Sequence, residues 1–133
     1  MTRRTIRDGG GFEEAAAYSR AVRIDGHIAV SGTAPLQDGV VLHPGDVYLQ
    51  TQAAFSKALS AAAELGARAE DVIRTRMLLA AGCDWEGAVR AHRESFAGID
   101  PANTSYFVAG FIPDGVLVEV ELDAIVPTDE PPR

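Results

Sequence analysis

Cysteine is almost absent: Cys83 is the only one in 133 residues. A single thiol cannot close an intrachain disulfide, which suits a reducing cytosol. Lysine is equally scarce, because Lys57 is the only lysine among twelve basic residues. Basic charge is outweighed altogether: the net charge is −7. Phosphate-backbone binding needs a basic surface, so nucleic acid is not the expected partner. No apolar run approaches the roughly 20 residues of a transmembrane helix. The opening "MTRRTIRDGGGFEE" is basic but lacks an apolar segment behind it, so no secretory signal is expected. His27, His43 and His92 do not have metal-ligand spacing, and no metal is expected. "DGGG" and "SGTAP" do not match a Gly-rich phosphate-binding fingerprint between a strand and a helix. Nothing like Gly-x-Ser-x-Gly surrounds Ser31 or Ser105, and spacing places no base beside them or Cys83. Nucleophilic catalysis is therefore not the expected chemistry.

What is present is an ordinary globular composition, 47% hydrophobic, in a chain of one-domain length, taken as residues 1–133. The tail 127–133, "PTDEPPR", is expected to be flexible. "TRRTIR" reads as a short strand ended by a flexible "DGGG". "YSRAVRI" and "HIAVSG" flank Asp25-Gly26, a hairpin signal in which both turn residues must tolerate positive φ. "LQDGVVLHPGD" reads as loop and turn. Asp46 is placed to cap a long helix running to Leu65, with Phe55, Leu59, Ala62 and Ala63 on its apolar stripe and Gly66 beyond its end. "DVIRTRMLLA" reads as a strand with Ile73, Thr75, Met77 and Leu79 on one face. Val72, Arg74, Arg76 and Leu78 would take the other. Asp84 can cap a second helix, "WEGAVRAHRESFAG", with Trp85, Val89 and Phe96 expected inside. "TSYFVAGF" and "GVLVEVELDAIV" are two more strands.

The order is β-β-β-α-β-α-β-β, an α+β fold with about six strands in one mixed sheet and two helices on one face. Two helices leave the other face uncovered, so that face must be polar or meet another chain. In the last strand Glu119, Glu121 and Asp123 share a face, and Val118, Val120, Leu122 and Ala124 take the other. The acids therefore fall on the uncovered side.

Three blocks resemble the RidA/YjgF family of small reactive-imine deaminases, also called endoribonuclease L-PSP. "AAYSRAVRIDGHIAVSGTAPL" resembles its Tyr-Ser-x-Ala-Val … Val-Ser-Gly-x-x-Pro opening. "DVYLQTQAAFSKALSAAAELGARAEDVIRTRMLL" resembles its Gln-Thr-x-x-Ala … Leu-x-x-Ala-Gly … Asp-Val stretch. "PANTSYFVAG…LVEVE" resembles its Pro-Ala-Arg-Ser … Val-Glu-Ile-Glu close. The resemblance implies a chorismate-mutase-like fold, a homotrimer with small-molecule clefts between subunits, and cofactor-free hydrolysis of imines or enamines. By the same resemblance Glu119 orients the attacking water, and Tyr18, Ser31 and Gly32 line the cleft. The family's carboxylate-binding arginine falls on Asn103. Neutral Asn cannot make the bidentate charged pair of an arginine.

Arg76 is a candidate replacement for that charge; the rival reading is an inter-subunit salt bridge to Glu119 or Glu121. Phe107 is expected to shape the wall. His92 titrates near neutral pH and is a candidate acid or base, or otherwise a surface residue. Expected substrate contacts are thus Arg76, Asn103, Tyr18, Ser31, Gly32, Phe107 and His92, around Glu119. The leading expectation is a cytosolic hydrolase of a reactive imine or enamine. A trimeric metabolite-binding protein without turnover is the alternative, and RNA cleavage is a third that the negative charge disfavours.

Overall fold

A computed structural model describes residues 2–127. In chain order the elements are β1 (Arg3–Ile6), α1 (Gly11–Ala16), β2 (Ala21–Ile24), β3 (His27–Thr33), β4 (Leu36–Gln37), β5 (Val40–Val41), α2 (Val47–Glu64), a 3-10 turn (Ala69–Asp71), β6 (Val72–Ala80), α3 (Trp85–Phe96), β7 (Ala102–Val108) and β8 (Val118–Ile125). Six strands form one mixed sheet in the order β1-β2-β3-β8-β6-β7, and β4 with β5 makes a separate small hairpin. The β6–β7 pair is parallel and the others are antiparallel. A parallel neighbour needs a crossover, and α3 supplies it. The expected α+β architecture is the observed one.

The long helix follows from its sequence. The Asp46 side chain accepts a hydrogen bond from Leu49 N at 2.9 Å, closing one of the four open N–H groups of the first turn. Ala54, Phe55, Ala58, Ala61 and Ala62 are buried against Ile28, Val30, Met77, Leu79, Val118, Val120, Leu122 and Ala124. Small alanines let the helix lie close to the sheet, and Phe55 fills the remaining depth. Ala63, expected on this stripe, is exposed and Leu59 is half-buried. The stripe runs one position earlier, through Ala54 and Ala58. Gln50 is fully buried but satisfied: its amide donates to His43 O and Gly115 O and accepts from Leu117 N. That clamp fixes where β8 begins, and so where Glu119 points.

Four local expectations are corrected. The stretch "LQDGVVLHPGD", expected as loop and turn, holds the paired strands β4 and β5; α1 forms over "GFEEAA", a segment given no element above, with Glu13 and Glu14 in its first turn, where the helix dipole favours acids. Gly26 is required by crowding rather than by positive φ. Asp25 takes the left-handed conformation, while a Cβ on Gly26 would sit 2.5 Å from Val126 O. The β6–β8 register shifts between Val72 and Arg74. This bulge puts Val72 on the covered face with Thr75, Met77 and Leu79, and leaves Ile73 49% exposed. Finally, Trp85 and Val89 are 51% and 47% exposed, while Ala88, Ala91 and Phe96 are inside. Phe96 sets the phase of α3, and Trp85 and Val89 fall on its outer side. From residue 128 on, the expected flexible tail lies outside the described residues.

Candidate functional site

The three acids of β8 do lie on the sheet face away from the core, each only half-buried between buried Val118, Val120, Leu122 and Ala124. Their cross-strand neighbours on β6 differ. Asp123 stands opposite Arg74, and Glu121 stands opposite Arg76. Arg76 Nη1 lies 3.3 Å from Glu121 Oε1. Arg76 is thus paired with Glu121 within its own chain. Glu119 stands opposite Leu78, a residue without charge.

On its other side Glu119 meets the irregular part of β3. The β3–β8 register breaks between Val30 and Thr33, so Ser31 and Gly32 form a bulge. A Cβ on Gly32 would lie 3.0 Å from Glu119 Oε1, so the missing side chain makes room for the carboxylate. Ser31 Oγ donates to Ser19 O at 2.6 Å, and Ser31 N donates to Arg20 O at 3.0 Å. These bonds tie the bulge to the segment carrying Tyr18 and Arg20. The Arg20 guanidinium lies 5.8 Å from the centre of the Tyr18 ring. Burial pushes the Glu119 carboxyl above the usual carboxylate range; the Arg20 charge pulls it down and Glu121 pushes it up.

Arg20 was not foreseen. Its side chain is only 10% exposed, and its Nε is 3.7 Å from Glu13 Oε2, beyond hydrogen-bond reach. Among the described residues that buried Nε has no hydrogen-bond partner. Glu13 is itself buried and accepts from Asp8 N at 3.1 Å. Burial, and then Asp8, push its carboxyl upward. A charged residue two places after Tyr18 was the available signal. It could not be interpreted without α1, which covers it.

The remaining expected residues gather elsewhere. Asn103 pairs in register with Thr75, and its amide nitrogen lies 3.1 Å from Thr75 Oγ1. Thr75 Oγ1 lies 2.7 Å from His92 Nε2, and Ser105 Oγ donates to Asn103 Oδ1 at 2.9 Å. Burial pulls the His92 pKa below its ordinary value, and Phe55 and Phe96 flank its ring. Asn103 donates to Thr75 and accepts from Ser105, and the direction of the Thr75–His92 bond is set by the His92 tautomer. Phe107, on the same side of edge strand β7, is 52% exposed. An open cavity of about 350 Å³ adjoins this cluster, lined by His92, Arg93, Phe96 and Asp100 among others.

The expected site is therefore divided. Glu119, Tyr18, Ser31 and Gly32 belong to one region. Asn103, His92 and Phe107 belong to another, across the sheet, since Thr75 faces the helices and Leu78, opposite Glu119, faces away from them. Arg76 lies on the acidic face but holds Glu121. Among the described residues no His, Cys, Asp and Glu cluster of three is placed to hold a metal ion. No helix there is long and apolar enough to cross a membrane.

These features define a small α+β protein with three acids on an uncovered sheet face. The sequence profile of the endoribonuclease L-PSP family matches residues 11–126, and the chain belongs to that family, also known as RidA/YjgF. It is 40% identical over 121 residues to an uncharacterized protein of Streptomyces coelicolor, covering 91% of this chain and 90% of the other. It is similar to the crystal structure of Rv2704 of Mycobacterium tuberculosis, a member of the YjgF/YER057c/UK114 family. There the TM-score is 0.84 at 34% identity, covering 94% of this chain and all (100%) of that one. The Escherichia coli YjgF product shares the fold, with a TM-score of 0.73 at 23% identity over 81% of this chain and 87% of that one.

Proposed function

We propose that this chain is a cytosolic, single-domain hydrolase of small reactive imines or enamines, working as a homotrimer with Glu119 orienting the water. The observation that carries the proposal is the setting of Glu119. It is the one acid of its face opposite an uncharged residue, with its carboxyl raised by burial and a glycine bulge clearing space beside it. A carboxylate of raised pKa is a stronger base toward water than an exposed one. Water adds to the imine carbon as the C=N pair moves onto nitrogen, which takes up a proton. Glu119 accepts the water proton and passes it to that nitrogen, then takes the carbinolamine hydroxyl proton and delivers it to nitrogen as the C–N bond breaks, leaving a carbonyl and ammonia. The overall change is imine plus water to carbonyl plus ammonia, with no redox step.

The trimer is part of the same proposal. Within one chain the sheet separates Glu119 from the Asn103–His92 cluster, and a neighbouring copy could present its β7 edge to the Glu119 face. Tyr18, Ser31 and Gly32 would line one wall, and Asn103, Phe107 and His92 the other. The family name brings RNA cleavage into view, but net charge −7 works against an RNA-binding face.

The test is ammonia release from freshly generated imines, with and without a carboxylate, by wild type, Glu119→Gln and Arg76→Ala, with oligomer mass checked on each. Acceleration by wild type and loss of about 100-fold or more in Glu119→Gln at unchanged mass is the expected result. Wild type equal to buffer for every imine would overturn the deaminase reading in favour of a binding protein.

A further inference from the structure

We propose that Arg20 is the guanidinium that receives the anionic group of the substrate, a role left open by the Asn at position 103. This deepens the hydrolase reading and rests on it. Three observations carry it. First, Arg20 is a buried cation with an orphaned donor: its Nε has no hydrogen-bond partner among the described residues, and its carboxylate neighbour Glu13 stands off at 3.7 Å. A buried guanidinium is costly unless its donors are met. Glu13 meets it only in part, since its oxygens also accept from Asp8 N.

Second, Arg20 borders the region of Glu119. Its carbonyl accepts from Ser31 N in the bulge, and its guanidinium lies 5.8 Å from the centre of the Tyr18 ring. It stands close enough to Glu119 for its charge to act on that carboxyl, yet it makes no ion pair with Glu119 within 4.0 Å. A ligand carboxylate entering between them would pair with the guanidinium and sit beside the water that Glu119 orients. Third, the rival anchors are occupied. Arg76 pairs with Glu121 at 3.3 Å. The Asn103 amide nitrogen lies within 3.1 Å of Thr75 Oγ1 and 3.5 Å of Thr75 O.

Arg20→Gln keeps much of the side-chain volume, and Arg20→Gln with Glu13→Gln also removes the carboxylate that would otherwise be left unpaired. Both would be checked for oligomer mass and circular dichroism. Two readouts are needed: hydrolysis of carboxylated against uncharged imines, and calorimetric binding of pyruvate against pyruvamide. Pyruvate is a product-like 2-oxo acid, and pyruvamide is its uncharged counterpart. We expect the folded double variant to lose roughly 10- to 100-fold on carboxylated imines and in pyruvate affinity, and little on the uncharged pair, as for one charge-assisted contact. Equal losses on both imine classes, or unchanged pyruvate binding, would overturn the role of Arg20 while leaving the hydrolase reading intact. Failure of wild type to hydrolyse any imine would sink the hydrolase reading alone if Arg20-dependent pyruvate binding persisted. Transfer of the charge selectivity to Arg76→Ala would assign the anchor to Arg76 instead.

Discussion

Three carboxylates share one face of β8, and the surroundings of each decide what it can do. Asp123 and Glu121 stand opposite arginines, whereas Glu119 faces Leu78 across the strand and Gly32 at the bulge. Burial then holds the Glu119 carboxyl above the usual range. The folded protein keeps that proton at pH values where the unfolded chain has lost it. The resulting stability is full below the unfolded carboxylate pKa and is lost as pH rises through the folded one. Glu119→Gln cannot ionise and escapes this loss. Its Tm is expected to exceed that of wild type at neutral pH, and the difference should shrink below about pH 4. A pH-independent difference in paired thermal melts would contradict this account of the residue. Glu119 itself was legible from strand alternation plus the family resemblance. Arg20 was not, because its environment comes from a helix distant in character from the glycines that precede it.

At the scale of elements, the irregularities do the positioning. The β3 bulge sets Gly32 against the Glu119 carboxyl, and the β6 bulge swaps Val72 and Ile73 between faces. Period-two reasoning assumes an unbroken pleat, so it placed the acids correctly and Ile73 incorrectly. Capping was readable for the opposite reason: Asp46 acts through one local hydrogen bond that depends on nothing distant. The α3 phase was misread because a large exposed Trp85 mimics a core residue, while the face that packs is built from alanines. Two glycines separate structure from function here. Gly26→Ala drives a Cβ to 2.5 Å from the Val126 carbonyl oxygen, and should cost about 2 kcal/mol of stability with turnover kept at low temperature. Gly32→Ala crowds the Glu119 carboxylate rather than backbone. It should keep the Tm near wild type and lower turnover by about 10- to 100-fold. Denaturant unfolding alongside imine assays would check both, and the reverse pattern would refute the assignment of Gly32 to the site.

At the scale of the molecule, two helices cover one side of a six-stranded sheet and leave the other to a ladder of arginines and acids. The sheet that holds Glu119 on one side also separates it from Asn103, His92 and Phe107. That separation could not be read from the sequence, since Asn103 sits on an edge strand whose facing depends on the parallel register with Thr75. The proposed cleft shared between copies would reunite the residues, and it makes a demand that can be measured. Glu119→Gln disables one wall, and Ser105→Trp blocks the other. Each variant alone should be inactive. Co-expressed in equal amounts, they should give a population of oligomers with roughly a quarter of the wild-type rate, the share of clefts drawing both intact walls from a random mixture. Mixed oligomers of verified mass that stay inactive would contradict the shared cleft and with it the central account of this protein.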